Sequence, residues 1–540
     1  MCGVSEQESP PGQDLDEQVR AWRAADPDPE TRAAIDAALA DGDAGRAKLR
    51  AWFAEPLHFG TAGVRAARGP GPSRLNRLTA RQIGRGAASL LRDDARVVIG
   101  RDARVGGAGF QAELESAMLE RGASVERFAM PVPTPVVAHR VRDGRLDAGI
   151  VCTASHNPST DSGVKLYGAT GAQLDPAEEA SVEAAIGVID PLAAPAPHPS
   201  GGGVAVDAEA RHRYLDDVVG PLADGIDGDL SLVYTALHGV GADLVDAAFE
   251  RVGLAPPSMV ASQRDPDGTF PTVPYPNPEE PGALDAAVDL ASQRNADAVL
   301  ANDPDADRLA VAAPLGPAGA WRMLTGDELG ALLAAHVLGL GAGSDRLVVA
   351  TTVSSRLVGR IAAAHGVQFV EVPTGFKWVA RAVLDRPELR FVFGYEEALG
   401  YAVTDRVLDK DGISAAVVAA RLIGSLRAAG SGVEEALATL AERHGLHATR
   451  TLHLRMDAAD GSAAEVVARV LDVVPSSDDR RVLARASGTE AMAKVYLEVV
   501  EPLAGGSADH LVARYRAAAS RADVILDQLE GAARACLAAG

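Results

Sequence analysis

This sequence predicts an α/β protein of four domains: three similar α/β domains with mixed, largely parallel sheets, and a smaller α+β domain at the C-terminal end. Three observations predict it. Short, near-continuous apolar runs alternate with helix-like segments through most of the chain, the pattern of strands covered on both faces by helices. That texture recurs in three rounds and then changes near residue 449. The length of 540 residues, at roughly 150 per domain, makes about three or four units.

The elements follow in order. Residues 1–50 read as a polar start and an amphipathic helix over 30–52. The first round has strands at 96–102, 124–130 and 147–153, with helices at 110–122 and 136–143 between them. A Pro/Gly/Ala stretch at 191–203 reads as a linker. The second round has strands at 230–237 and 296–301 around a helix at 242–253. In the third, helices at 327–338, 356–365, 376–384 and 413–428 surround strands at 346–352, 367–373 and 390–393. The tail shows a strand at 449–456, a helix at 463–470 and a strand at 494–500. These readings place a helical extension at 1–50 and domains at 51–205, 206–322, 323–447 and 448–540.

Composition excludes several functions. With 52 basic against 74 acidic side chains the formal charge is −22, which argues against a nucleic-acid partner, whose phosphates demand a basic face. A small phosphorylated ligand needs only a local basic pocket. Cys2, Cys152 and Cys536 do not make a disulfide framework. The acidic first 20 residues do not read as a signal peptide. The uncharged stretch 329–344 is shorter than the roughly 20 residues of a membrane span. The expectation is a soluble, cytoplasmic protein without a membrane partner. Only five basic residues are lysine (Lys48, Lys165, Lys377, Lys410 and Lys494), so each surviving ammonium is a candidate for a site that needs a compact cation.

Four polar, Gly-rich segments stand at the carboxyl ends of expected strands, where open α/β sheets bind ligands. The first, TASHNP at 153–158, presents Ser155 beside His156, with Lys165 ten residues after the serine. Ser155 suits a nucleophile or phosphoryl carrier and Lys165 a proton donor or counter-charge, although a capped turn has the same composition. The second, NDPDADR at 302–308, sets Asp303, Asp305 and Asp307 on one tight loop, where they repel unless a hard cation sits among them. An EF-hand would need Gly at Arg308 and Glu at Pro314, and a haloacid-dehalogenase loop would need Thr or Val at Asp307. An oxygen-rich site with open positions suits Mg²⁺ and a phosphate oxygen.

The third comprises Thr374-Gly375-Phe376-Lys377-Trp378 and Gly394-Tyr395-Glu396-Glu397-Ala398-Leu399-Gly400. Its paired carboxylates suit vicinal sugar hydroxyls, or equally a helix cap. The fourth, Arg485-Ala486-Ser487-Gly488-Thr489-Glu490, has the composition of a phosphate cradle. Upstream, FGTAGVR at 59–65 ends in Arg65, which can reach a phosphoryl group. LHGVG at 237–241 reads as a tight strand–helix turn with a structural His238.

In this order the segments resemble the α-D-phosphohexomutase family of phosphoglucomutases and phosphomannomutases, over about residues 59–498. FGTAGVRA, DPDGTFPTVPYPNPEE, TGFKW and LDKDGISAA further resemble its longer branch, with eukaryotic-type phosphoglucomutase/phosphopentomutase enzymes. The resemblance implies a four-domain, heart-shaped enzyme with one loop per domain around a central cleft. It implies Ser155 as phosphoserine, with Mg²⁺ held by Asp303, Asp305, Asp307 and a phosphoryl oxygen on Ser155. Arg65 and Arg308 would steady the phosphoryl group, and His156 and Lys165 would transfer protons. Thr374, Gly375, Lys377, Glu396 and Glu397 would bind the sugar, while Arg485, Ser487, Gly488 and Thr489 would clamp the non-reacting phosphate.

The implied reaction moves a phosphoryl group between C1 and C6 of a hexose phosphate, glucose 1-phosphate/glucose 6-phosphate being favoured, through a sugar 1,6-bisphosphate. Mannose or pentose phosphates are the alternative substrates, and a metal-dependent sugar phosphatase is the rival of another class. Two departures bear on the sugar: Ala398 stands where many relatives carry Ser, and Ala491-Met492-Ala493 replaces a Pro-Lys-hydrophobic run. Lys494 is the basic residue nearest to that run.

Overall fold

The computed structural model describes residues 11–60, 62–196, 202–223, 230–315, 319–456, 461–486 and 492–537. It contains three α/β/α domains with mixed sheets and a small C-terminal domain. In the first, Arg96–Arg101 pairs in parallel with Ser124–Arg127 and Ala148–Cys152. The strand Asp161–Gly168 then runs antiparallel between Ala148–Cys152 and Gly63–Ala67. In the second, Leu232–Thr235 and Ala298–Ala301 are parallel, with Ala310–Pro314 and Trp321–Met323 continuing antiparallel. In the third, Arg346–Thr351 lies parallel between Gln368–Val372 and Arg390–Glu396, and Gly400–Ala402 closes the edge antiparallel. Leu446–Arg455, Met492–Glu501 and Arg480–Ala486 form the antiparallel C-terminal sheet.

The central strands bury both faces, so their apolar runs are uninterrupted, as in Arg346–Thr351. One hydrophobic cluster runs from Val98 and Phe128 through Val233 and Leu300 to Val348 and Phe393, and on to Leu452, Val495 and Leu526. The other face of the first sheet has its own core around Val97, Ile99, Leu114 and Ile150.

Two expectations change. The helix expected over 30–52 is two helices, Pro29–Ala40 and Gly42–Trp52, preceded by Pro11–Ala25. The break falls at Gly42, whose φ of +56° no helix interior accepts. These helices close a core of Val19, Trp22, Ile35, Ala38 and Leu49 against Leu78 of the first domain. The tail carries a 25-residue helix, Leu511–Ala535, that the sequence reading did not contain. Its buried face is mostly alanine (Ala518, Ala522, Ala533), which leaves little apolar periodicity to detect. Among the described residues no single helix is long and apolar enough to cross a membrane.

What matters for the site is that the first three domains meet at their strand ends. Leu309 N–H donates to Leu399 O at 3.0 Å, and Gly412 N–H to Ala306 O at 3.2 Å, stitching the second domain to the third. Thr134 N–H of the first domain donates to Asp305 O of the second at 3.0 Å.

Candidate active site

The strand Ala148–Cys152 delivers Ser155 on a turn in which the serine takes φ +52°, uncommon for a residue with a side chain. Its N–H donates to Thr153 Oγ1 at 2.8 Å, and that hydroxyl donates to Asp102 Oδ2 at 2.7 Å. Ser155 Oγ lies 3.3 Å from His156 Nδ1 and donates to Asp303 Oδ2 at 2.7 Å, so the first and second domains share one hydrogen bond between two sequence motifs. Burial, and then the nearby Arg308 and Arg65 guanidiniums, push the His156 imidazole well below its ordinary range. It is therefore neutral near pH 7. Arg65 comes from Gly63–Ala67 and donates to Asn157 Oδ1 at 3.1 Å.

The loop between Ala298–Ala301 and Ala310–Pro314 points three buried carboxylates at one spot: ligating oxygens of Asp303, Asp305 and Asp307 all lie within 4.8 Å of one another. Ala306 turns the loop at φ +57°. Gly239, in the strand–helix turn that the sequence marked, packs beneath it; a Cβ there would stand 2.4 Å from Pro304 Cα. His238 Nε2 is 2.8 Å from Thr272 Oγ1, the structural role expected for it.

Cations surround the triad. Lys165 Nζ donates at 2.7 Å to both Asp305 Oδ2 and Asp307 Oδ2, and Lys410 Nζ lies 3.4 Å from Asp307 Oδ2. Thr134 Oγ1 donates to Asp305 Oδ2 at 2.8 Å. Burial, reinforced by Asp305 and Asp307, raises the Asp303 carboxyl well above its usual range. Burial acts the same way on Asp307, but Lys165, Lys410 and Arg308 outweigh it and hold that group down. Burial would likewise neutralise Lys165, yet Asp305 and Asp307 keep it protonated. The second oxygens, Asp305 Oδ1 and Asp307 Oδ1, are buried with no hydrogen-bond partner among the described residues. Unpartnered buried carboxylate oxygens, in a triad whose candidate ligand atoms lie within 4.8 Å of one another, are what a hard divalent cation would satisfy, so the residues fit a metal.

In the third domain, Glu396 ends the strand Arg390–Glu396, and its Oε1 accepts from Gly375 N–H at 3.0 Å. Thr374 and Gly375 thereby flank the carboxylate. Glu397 Oε2 takes two long side-chain contacts, 3.4 Å from Thr351 Oγ1 and 3.5 Å from Ser354 Oγ. Burial, then the neighbouring Glu396, pushes its carboxyl up to about 8. The folded chain thus holds this proton more tightly than the unfolded chain, and stability falls as pH rises from about 4.5 through about 8. Glu397→Gln removes the cost. Thermal melts across that window should show the variant gaining on the wild type as pH rises; parallel curves would mean that Glu397 ionises freely.

Lys377 has a partner that the sequence reading does not contain. Expected among the sugar ligands, its Nζ here donates to Glu179 Oε2 at 2.6 Å, across to the helix Pro176–Gly187 of the first domain. Both side chains are nearly inaccessible, 6% and 11% exposed, so Lys377→Met strands a buried carboxylate and should cost about 3 kcal/mol in denaturant unfolding. Lys48, paired with Asp41 at 56% and 49% exposure, is the contrast: Lys48→Arg should change stability by less than about 0.5 kcal/mol.

The fourth domain comes within electrostatic reach of the same residues. Arg485 Nε donates to Tyr496 Oη at 3.1 Å, and Lys494 stands opposite Arg485 in the strand pair. Burial, then Glu397, pushes the Tyr496 phenol up to about 12, and Lys494 acts electrostatically on Glu279, which itself lies 3.5 Å from Arg308 Nη1. Ser487, Gly488 and Thr489 lie outside the described residues. Three groups beside the site go unassigned in the sequence reading: Asp102, Thr134 and Glu279. Lys410, a candidate by the rarity of lysine, takes its place against Asp307, and its neighbour Asp409 accepts from Tyr167 Oη and Gln173 Nε2, both at 2.8 Å.

The chain matches three consecutive family descriptions: phosphoglucomutase/phosphomannomutase alpha/beta/alpha domain I over residues 56–191, domain II over 212–316 and domain III over 325–444. It is 36% identical over 477 residues to a phosphopentomutase of Homo sapiens, covering 81% of this chain and 76% of that protein. It is 34% identical over 473 residues to a glucose 1,6-bisphosphate synthase of Homo sapiens, covering 81% and 75%. The solved structure of a phosphoglucomutase/phosphomannomutase family protein from Burkholderia thailandensis shares the fold, with a TM-score of 0.64 at 22% identity over 86% of this chain and 96% of that one. Serine loop, acidic loop, the paired-glutamate loop and three matched domains in order have one meaning: the chain belongs to the α-D-phosphohexomutase family of phosphosugar mutases.

Proposed function

We propose that this enzyme interconverts glucose 1-phosphate and glucose 6-phosphate through a phosphorylated Ser155. The observation that carries the reading is Ser155 Oγ at 2.7 Å from Asp303, at the rim of a carboxylate triad ringed by Lys165, Lys410 and Arg308. Phosphoryl transfer needs positioning and charge neutralisation above all, and this cluster supplies both. Asp303, Asp305 and Asp307, with a phosphoryl oxygen on Ser155, would hold Mg²⁺, which when bound neutralises charge on the transferring group.

In the first half-reaction the P–Oγ bond of phosphoserine breaks and a sugar hydroxyl forms the new P–O bond. The hydroxyl proton leaves through the neutral His156 imidazole, and Ser155 Oγ ends as a hydroxyl. Arg65 and Arg308 flank the moving group. Lys165 acts here as a fixed ammonium, because two carboxylates hold its proton. The resulting sugar 1,6-bisphosphate turns over in the cleft, its remote phosphate held by Arg485 with Ser487, Gly488 and Thr489. The other phosphoryl group then returns to Ser155, with the proton moving back to the sugar oxygen. Glu396, fixed by Gly375, holds ring hydroxyls.

A pentose reading has its own support, since a phosphopentomutase is among the relatives and Ala398 offers the sugar no hydroxyl contact. Comparing kcat/KM for glucose, mannose and ribose 1-phosphates decides between them. Glucose should be preferred; a higher value for ribose 1-phosphate gives the pentose reading, and steady release of inorganic phosphate without isomerisation would make the protein a phosphatase.

A further inference from the structure

The loop that carries Ser155 is shaped largely by one side chain outside every site motif. Arg104 follows the strand Arg96–Arg101, and its side chain has no solvent exposure. Nη2 donates to the carbonyls of Ser155 at 2.6 Å and Asn157 at 2.5 Å. Nη1 donates to those of Pro158 at 2.7 Å and Asp161 at 3.0 Å. Nε reaches Asp102 Oδ2 at 3.2 Å. Asp102 is also the acceptor for Thr153 Oγ1, which holds Ser155 N–H. Both sides of the serine are therefore tied, N–H and C=O, to one Asp102–Arg104 pair.

The second domain presses on that pair from outside. The Phe270 ring centroid is 5.1 Å from the Arg104 guanidinium carbon, and Gly268 forms a backbone bridge with Arg104 so close that a Cβ would stand 2.6 Å from Arg104 Cα. Left to itself a serine avoids φ +52°. Here four loop carbonyls converge on a rigid planar fork that alone among side chains carries five donors in fixed directions.

We propose that Arg104 is a positioning residue for phosphoryl transfer: it holds Ser155 in the left-handed conformation that aims Oγ at Asp303, and so sets how fast the serine accepts and returns its phosphoryl group. The inference rests on the reading of Ser155 as the phosphoryl carrier. Arg104 touches no group assigned to the sugar, so its loss acts on kcat and spares KM.

The test follows phosphoryl transfer from glucose 1,6-bisphosphate to the dephosphorylated full-length protein by intact mass, in wild type, Ser155→Ala, Arg104→Lys and Arg104→Ala. Wild type should gain one phosphoryl group and Ser155→Ala none. Lysine keeps the charge but cannot span four carbonyls, so Arg104→Lys should slow transfer on the order of 100-fold at unchanged KM. Guanidinium at sub-denaturing concentration should accelerate Arg104→Ala and leave wild type unaffected. Should neither Arg104 variant fold, Phe270→Leu, which loosens the fork from outside, should still slow transfer at unchanged KM. Transfer at the wild-type rate in a folded Arg104 variant, or in Phe270→Leu where that variant stands in, overturns the proposal. A wild type that takes no phosphoryl group on Ser155 overturns instead the carrier reading beneath it.

Discussion

Replacing Ser155 with Ala should lower mutase kcat/KM by at least about four orders of magnitude, some 5 kcal/mol of barrier, while sugar-phosphate binding survives. The size follows from the scheme. A phosphoryl carrier cannot be bypassed by better positioning, since both half-reactions pass through its oxygen. The adjacent hydroxyls offer no substitute: Thr153 Oγ1 donates to Asp102 and Thr134 Oγ1 to Asp305. Binding persists because Glu396 and Arg485 belong to other domains and do not touch Ser155. A coupled assay for glucose 6-phosphate reads the first quantity and titration calorimetry with glucose 1-phosphate the second. A variant that kept activity within about tenfold of wild type would sink the phosphoserine mechanism.

Chemistry confined to one short segment was readable in the sequence. Three carboxylates at alternate positions on one tight loop mark a candidate cation site, and a small-residue turn after a buried strand marks Ser155, which the fold buries beside Asp303. The central strands were equally legible, because burial on both faces writes an unbroken apolar run, as at Arg346–Thr351. What was hidden depends on contacts between distant segments. Arg104 meets the Ser155 carbonyl across 51 residues of sequence and Thr134 meets Asp305 across 171, and nothing local distinguishes either from an ordinary surface residue. Lys377 shows the same dependence on distant segments from inside a motif. It sits inside a motif-like string beside the sugar loop, yet the packing of two domains gives its ammonium to Glu179. Rarity of lysine did pick out Lys165 and Lys410, both buried against the acidic loop, but it could not say which carboxylate each one faces.

Stripping divalent cations with a chelator should reduce kcat on the order of 1,000-fold, and Mg²⁺ should restore it, because neutralising the transferring group is worth several kcal/mol. The protein's own cations cannot do this work alone. Lys165 is bound to the Oδ2 atoms of Asp305 and Asp307, leaving both Oδ1 atoms buried and unpartnered. Lys410 is shared between Asp307 and Asp409. A thermal-shift titration separates binding from turnover: saturating Mg²⁺ at about 100 times Kd should add about 2.7 kcal/mol to wild-type stability. Asp305→Asn removes one charge from the triad at nearly constant shape, so it should lose both the stabilisation by Mg²⁺ and the rescue of activity. Undiminished turnover in the presence of chelator, together with melting curves that ignore Mg²⁺, would mean that the three aspartates serve only as counter-charges for the two lysines.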